Sequence, residues 1–172
     1  MYKTLNIEVD SSFRNPIIIQ EKIIERYIHA QIDIVGRIQM NIIDNIIGIS
    51  KSEPASKVII ENVENEMNVK FPRGYRELLE STNGFSTDNG IVIYGTDDIV
   101  ERNITLEVDE YAKGYLAVGD DSGDIVFIIA IDDSDESLLA VGCGDMNPAN
   151  AKIVADNFRT WLLEGCDLSV LN

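Results

Sequence analysis

Tyr115-Leu116-Ala117-Val118-Gly119-Asp120-Asp121-Ser122-Gly123-Asp124-Ile125-Val126-Phe127-Ile128-Ile129-Ala130 holds two apolar runs separated by a polar, glycine-bearing link. The runs are rich in β-branched residues and the link has hairpin length, so the stretch predicts two adjacent antiparallel strands. The same texture continues on both sides. Ile91-Val92-Ile93-Tyr94 precedes it, and Leu138-Leu139-Ala140-Val141 follows it across Asp132-Asp133-Ser134-Asp135-Glu136. Runs joined by turns of this kind predict an antiparallel meander, with the dense aspartates falling mostly at one end of the sheet.

Toward the N-terminus the periodicity becomes helical. Lys57 to Asn68 places Val58, Ile59, Val63 and Met67 at helical intervals, with Ser52 or Ser56 available as N-cap. Phe71-Pro72 interrupts this helix, because proline cannot extend the hydrogen-bond ladder, and Pro72 suits the first turn of a second one. The stripe of that helix is Tyr75, Leu78 and Leu79, and Thr82-Asn83-Gly84 gives it a C-terminal stop. Past the strands, Asn150 to Glu164 predicts a closing helix that packs Ile153, Val154, Phe158, Trp161 and Leu162 on the sheet and ends at Gly165. The expected fold is α+β, an antiparallel sheet flanked by helices over residues 51–172.

Residues 1–50 form an isoleucine-rich N-terminal extension, and residues 50–56 read as a linker out of it. Ile24, Ile28, Ile32, Val35, Ile38, Ile42, Ile46 and Ile49 recur at steps of three or four, predicting one long helix or two broken at Gly36. Its β-branched content also allows short strands at residues 16–19 and 32–35. A second apolar set, including Ile17, Ile18, Ile34, Ile43 and Ile47, makes the extension apolar on more than one side. Such a segment calls for burial against the main domain or a second copy of itself, which leaves a homodimer open.

At 172 residues, 45% of them hydrophobic, the chain can bury a sizeable core without disulfides or metals. Its formal charge is −16, and the excess is concentrated: residues 97–145 carry fourteen acidic and two basic side chains. Such a field repels nucleic-acid phosphates and anionic membranes and attracts basic surfaces. Aspartate is also a common turn residue, which accounts for part of the pattern. Cys143 and Cys166 are not spaced as a disulfide framework or zinc site. No cationic leader opens the chain and no run reaches the roughly 20 apolar residues of a membrane span, so a cytoplasmic location is expected.

The residues of chemistry are sparse. The one histidine, His29, lies far in sequence from either cysteine, and no G-x-S-x-G, Walker, G-x-G-x-x-G or H-E-x-x-H pattern occurs. The aspartate loops lack the ligand alternation, central glycine and terminal glutamate of a calcium loop. Cys143, just after a strand, is expected to be buried and inert, and the Asn103-Ile104-Thr105 sequon has no meaning without secretion. The chain is therefore expected to be no enzyme and to carry no cofactor or metal.

Ile60-Glu61-Asn62-Val63-Glu64, Val69-Lys70-Phe71-Pro72-Arg73-Gly74-Tyr75, Leu78-Leu79 and Asn83-Gly84 together resemble the signature of the SUKH superfamily, the cell-wall-assembly-regulator-like proteins. Ile93-Tyr94-Gly95, the Tyr115 to Asp124 stretch and Phe158-Arg159-Thr160-Trp161-Leu162 fit the same pattern, so that the resemblance runs over residues 52–166. It implies helices around an antiparallel sheet and a bacterial immunity protein encoded beside a secreted polymorphic toxin, many of which are nucleases. Fungal relatives act in cell-wall signalling. The extension of residues 1–50 departs from the pattern.

Charge and resemblance together predict a protein that covers a toxin with a basic surface, its carboxylates occupying the positions of substrate phosphates. The residues expected to do so are Asp97, Asp98, Asp120, Asp121, Asp124, Asp132, Asp133, Asp135 and Glu136. The alternative expectation is an intracellular scaffold or regulatory adaptor that self-associates through the N-terminal segment.

Overall fold

The computed structural model describes residues 43, 46, 48–132 and 136–171, all within one compact unit, Met40–Asn172. The expectations for residues 1–42, His29 among them, lie outside the described residues. Seven strands pair antiparallel in chain order: β1 (Ile49–Lys51), β2 (Phe85–Thr87), β3 (Val92–Ile93), β4 (Tyr115–Asp120), β5 (Ile125–Ala130), β6 (Leu138–Gly142) and β7 (Lys152–Ala155). This is the expected meander. Val126 to Ile129 of β5 are all buried, so both faces of the strand are covered and its sequence is a continuous apolar run. β4 carries a bulge between Ala117 and Gly119, where β3 comes so close that a Cβ on Gly119 would strike the Val92 carbonyl oxygen.

Five helices complete the described residues: α1 (Lys57–Met67), α2 (Arg73–Ser81), α3 (Ile99–Thr105), α4 (Val108–Tyr111) and α5 (Phe158–Leu163). Ser56 caps α1 by accepting the Ile59 N–H at 3.3 Å, and Asn68 ends it in the left-handed conformation at φ 51°. The buried stripe of α1 is Ile60, Val63 and Glu64, with Val58 and Ile59 exposed. The helix is therefore rotated from the expected face, because a carboxylate occupies a core position.

An aromatic chain joins α2, α5 and the sheet. Ring centroids lie 5.4 Å apart for Phe71 and Tyr75, 6.4 Å for Tyr75 and Phe158, 6.0 Å for Phe158 and Trp161, and 5.7 Å for Trp161 and Phe127. Tyr75, fully buried, donates its hydroxyl to the Tyr94 carbonyl at 2.6 Å, and Trp161 donates Nε1–H to the Asp167 carbonyl at 2.9 Å. Each large ring thus buries its apolar body while its polar atom finds a partner.

Three segments differ from the sequence-based expectation. The stretch expected as one closing helix is instead a 3-10 turn (Pro148–Asn150), β7 and α5. Lys152 and Ile153 pair with Ala140 and Leu139 of β6, and Asn157 accepts the Thr160 N–H at 3.0 Å to start a new helix. The β-branched pair Ile153-Val154 completes an edge strand, and the asparagine cap resets the helix behind it. Residues 50 and 51, expected in a linker, and Ile49, expected on the helical stripe of the extension, belong to β1, where they pair with Ser86, Phe85 and Thr87 of β2. Cys143 is exposed in the turn after β6, and the buried thiol is Cys166, whose pKa burial pushes up to about 12.

Candidate partner-binding surface

The signature residues quoted above build the frame on which the acidic groups stand. Glu64 is 1% exposed, yet its carboxylate accepts the Phe71 N–H at 3.0 Å, Arg76 Nη1 at 2.7 Å and Lys70 Nζ at 3.0 Å. Burial alone would raise its pKa, but the Phe71 N–H and the two cations outweigh that and hold it below the usual glutamate value. The carboxylate clamps the loop between α1 and α2. Asn83 Oδ1 accepts the Thr96 N–H at 2.8 Å and its Nδ2 donates to Thr96 Oγ1 at 2.9 Å, fastening the end of α2 to the turn after β3. Gly84, at φ +78°, packs where a Cβ would lie 2.6 Å from both Gly95 N and the Ile93 oxygen.

A second clasp holds α3 to the sheet. The first half of β4 extends beyond short β3, and Asn103 takes its place: Nδ2 donates to the Ala117 carbonyl at 2.9 Å while Oδ1 accepts the Ala117 N–H at 3.0 Å. A side-chain amide here satisfies both backbone groups of a strand residue, as a neighbouring strand would.

Consecutive turns of a meander fall at alternate ends of its sheet, so the two aspartate loops are separated rather than gathered at one end. This corrects the expected placement. Asp120, Asp121 and Asp124 lie at the β4–β5 turn, whereas Asp132 and Glu136 lie at the β5–β6 turn, and Asp133 and Asp135 fall outside the described residues. Asp97 and Asp98 are exposed immediately before α3.

Several of these carboxylates organise the fold. Asp120 accepts the Tyr94 hydroxyl at 2.6 Å and the Ser122 N–H at 2.8 Å, and Asp121 accepts the Gly123 and Ile125 N–H groups at 2.8 and 3.0 Å. Both fix the hairpin turn, as short acidic side chains do when they bond the backbone two residues on. Burial, then the bond and charge of Asp120, push the Tyr94 hydroxyl far above its ordinary pKa, and Asp98 adds to the shift. Asp98 and Asp120 therefore act on the same hydroxyl. The Arg102 guanidinium sits 5.7 Å from the centre of that ring. Glu136 accepts Asn157 Nδ2, and its carbonyl accepts the Phe158 N–H at 2.9 Å, so it anchors α5.

The β4–β5 turn gains acidic neighbours that sequence reading did not single out. Ser122 Oγ donates to the Gly90 carbonyl at 2.6 Å, bringing in the β2–β3 turn with Asp88. The Cys143 N–H donates to the Asp124 carbonyl at 2.8 Å, bringing in the turn that carries Asp145. One end of the sheet thus presents Asp88, Asp120, Asp121, Asp124 and Asp145, with no lysine or arginine in the three turns. A recess of about 510 Å³ opens beside it, lined by Asn89, Asp121, Ile125, Asn150, Lys152 and the C-terminal Leu168 and Leu171.

A second acidic surface is the corner formed by α3 and α4. Glu101, Glu107, Asp109 and Glu110 are exposed there, following Asp97 and Asp98. The signal for α3 was the spacing of Ile99, Asn103 and Leu106, whose buried asparagine reads as polar when only apolar residues are counted. Among the described residues no group of three or more histidine, cysteine, aspartate or glutamate side chains is placed to hold a metal ion. No helix among them is long and apolar enough to cross a membrane.

A sequence model described as the SMI1 / KNR4 family (SUKH-1) matches residues 54–164, from before α1 to the end of α5. The chain is also similar to the uncharacterized protein YnaB of Bacillus subtilis (strain 168), at 36% identity over 67 residues, which is 39% of this chain and 44% of that protein. The matched part therefore spans less than half the length of this relative. The family is one known for immunity-protein-like, generally non-enzymatic roles, in which the partner is a protein.

Proposed function

The chain belongs to the SMI1/KNR4 family (SUKH-1), and from that premise we propose that it is a non-enzymatic immunity protein that binds and neutralises a bacterial toxin through its acidic surface. The observation that carries the reading is the concentration of fourteen acidic and two basic residues within residues 97–145 of a chain from this family. A toxin that acts on nucleic acid needs a basic groove, and carboxylates on a rigid frame complement that groove at the positions of the phosphates. A nuclease is the toxin class such a surface fits best, and the complex would form in the cytoplasm.

The frame supports this use because the acids are held by structure rather than by flexible side-chain choice. Asp120 and Asp121 each bond two partners, which fixes where their charge stands before any partner arrives. Less ordering is then required on association.

Co-expression with the product of the neighbouring gene in a sensitive bacterium tests the proposal. Growth restored by this chain, with a complex that co-purifies, is the expected result. Toxicity that persists in its presence, or a neighbouring product that is not toxic, removes the proposal.

A further inference from the structure

A groove of about 520 Å³ opens between the C-terminal turn of α1 and the α3–α4 corner. Its apolar lining includes Met67, Val69, Val100, Ile104, Val108 and Leu116. Val108 and Leu116 are buried, at 3% and 1%, whereas Ile104 stands at the edge with 71% of its surface exposed. Glu66, Glu107, Asp109 and Glu110 also line the groove, all four exposed, and among the described residues no lysine, arginine or histidine does.

The α3–α4 corner turns through Glu107 at φ 51°, a left-handed conformation that side-chain-bearing residues seldom adopt. That turn sets three carboxylates within four residues along one edge of the groove. Their combined charge is felt nearby: Glu110, then Glu107, hold the Tyr111 hydroxyl above its ordinary pKa.

We infer that this groove docks an amphipathic basic segment of a partner protein, apolar side chains set against Met67 and Ile104 and flanking lysines or arginines facing Glu66, Glu107, Asp109 and Glu110. The volume lies within the roughly 300–1,000 Å³ of ordinary binding pockets, so it takes a few side chains of a segment rather than a whole domain. The four rim carboxylates select the sign of the flanking charge, and the apolar lining with exposed Ile104 rewards side chains that a purely electrostatic contact would leave in water. This inference rests on the reading of the chain as a protein-binding immunity protein, and adds a contact at a place separate from the acidic end of the sheet.

The test uses the full chain and a fluorescein-labelled synthetic peptide of about 14 residues, with leucine and lysine at helical spacing, followed by anisotropy. Ile104→Asp, and the triple change Glu107→Gln, Asp109→Asn and Glu110→Gln, should each weaken peptide binding at least about tenfold, since each removes one of the two recognition features. Asp124→Asn with Asp145→Asn, at the sheet end, should leave it within about twofold. The urea midpoint of each variant checks that the fold is retained, and the changed residues are exposed.

Absence of peptide binding at low salt, or equal weakening by the groove and sheet-end variants, would overturn the groove assignment. Binding of a matched leucine and glutamate peptide with similar affinity would do the same. The immunity reading fails separately: if the wild-type chain gives no rescue from its neighbouring toxin, that reading falls whatever the peptide does. If rescue persists undiminished in Ile104→Asp and in the triple variant, the groove assignment alone falls.

Discussion

Replacing Glu64 by glutamine keeps its shape and its acceptor for the Phe71 N–H while deleting the charge that faces Arg76 and Lys70. Lys70 is 74% exposed along its side chain and stays hydrated without its partner, so its share is small. Arg76 is 26% exposed and only 2.7 Å from the carboxylate. Breaking a fully buried pair costs about 3–5 kcal/mol, and the partial exposure of Arg76 brings the expected loss for Glu64→Gln to about 2–3 kcal/mol. Glu64→Ala also strands the Phe71 N–H, which adds about 1–3 kcal/mol. With a urea slope of about 1–3 kcal/mol per molar, the glutamine variant should unfold at a midpoint about 1 M lower than wild type.

The same experiment has a pH signature. The folded-state pKa of Glu64 is lowered, so the unfolded chain binds its proton more readily, and the stabilisation is fully present above the ordinary glutamate value. It is lost as pH falls through the folded value. The gap between wild type and Glu64→Gln should therefore be constant from pH 7 to about 5 and narrow as pH falls below the ordinary glutamate value of about 4.3. A glutamine variant within about 0.5 kcal/mol of wild type at pH 7, or a gap that persists unchanged into acid, would refute the clamp.

Gly84→Ala should cost about 3 kcal/mol or more, because it adds left-handed strain to a collision with the Gly95 and Ile93 backbone, whereas Gly114→Ala at φ +89° meets open space and should cost only the strain of about 1–2 kcal/mol. Thermal melts of the two variants separate packing from conformation. Asn103→Leu should lose about 3 kcal/mol and speed hydrogen exchange at the Ala117 amide, since both backbone groups of Ala117 lose their partner. Asp124→Lys, at an exposed position, should change stability by no more than about 0.5 kcal/mol while weakening association with the whole toxin and flattening its salt dependence. Unchanged affinity at low salt would remove the β4–β5 turn from the interface.

The hairpin of β4 and β5 was legible in the sequence because its information is local: apolar runs of strand length and a turn of aspartate, serine and glycine. The Asn83-Gly84 stop was legible for the same reason. The rest depended on contacts between distant residues. Ile153 and Val154 stand at helical distances from Phe158 and Trp161, and only pairing with Leu139 and Ala140 makes them a strand. Glu64 turned the expected face of α1, because the cations that permit its burial lie 6 and 12 residues away. α3 and α4, with 7 and 4 residues, are too short for a clear apolar period, and their absence from the sequence reading hid the groove and three of its four acids. The described residues of the aspartate loops do lie in turns, but the meander itself puts successive turns at opposite ends, and the seven nominated carboxylates among the described residues do not form one patch.

The most direct measurement titrates the purified chain into the purified product of the neighbouring gene, following complex formation and the toxin's activity together at two salt concentrations. The expected result is a complex that inhibits the toxin and whose affinity falls as salt rises. An unchanged toxin activity at saturating chain, or no complex even at low salt, would contradict it.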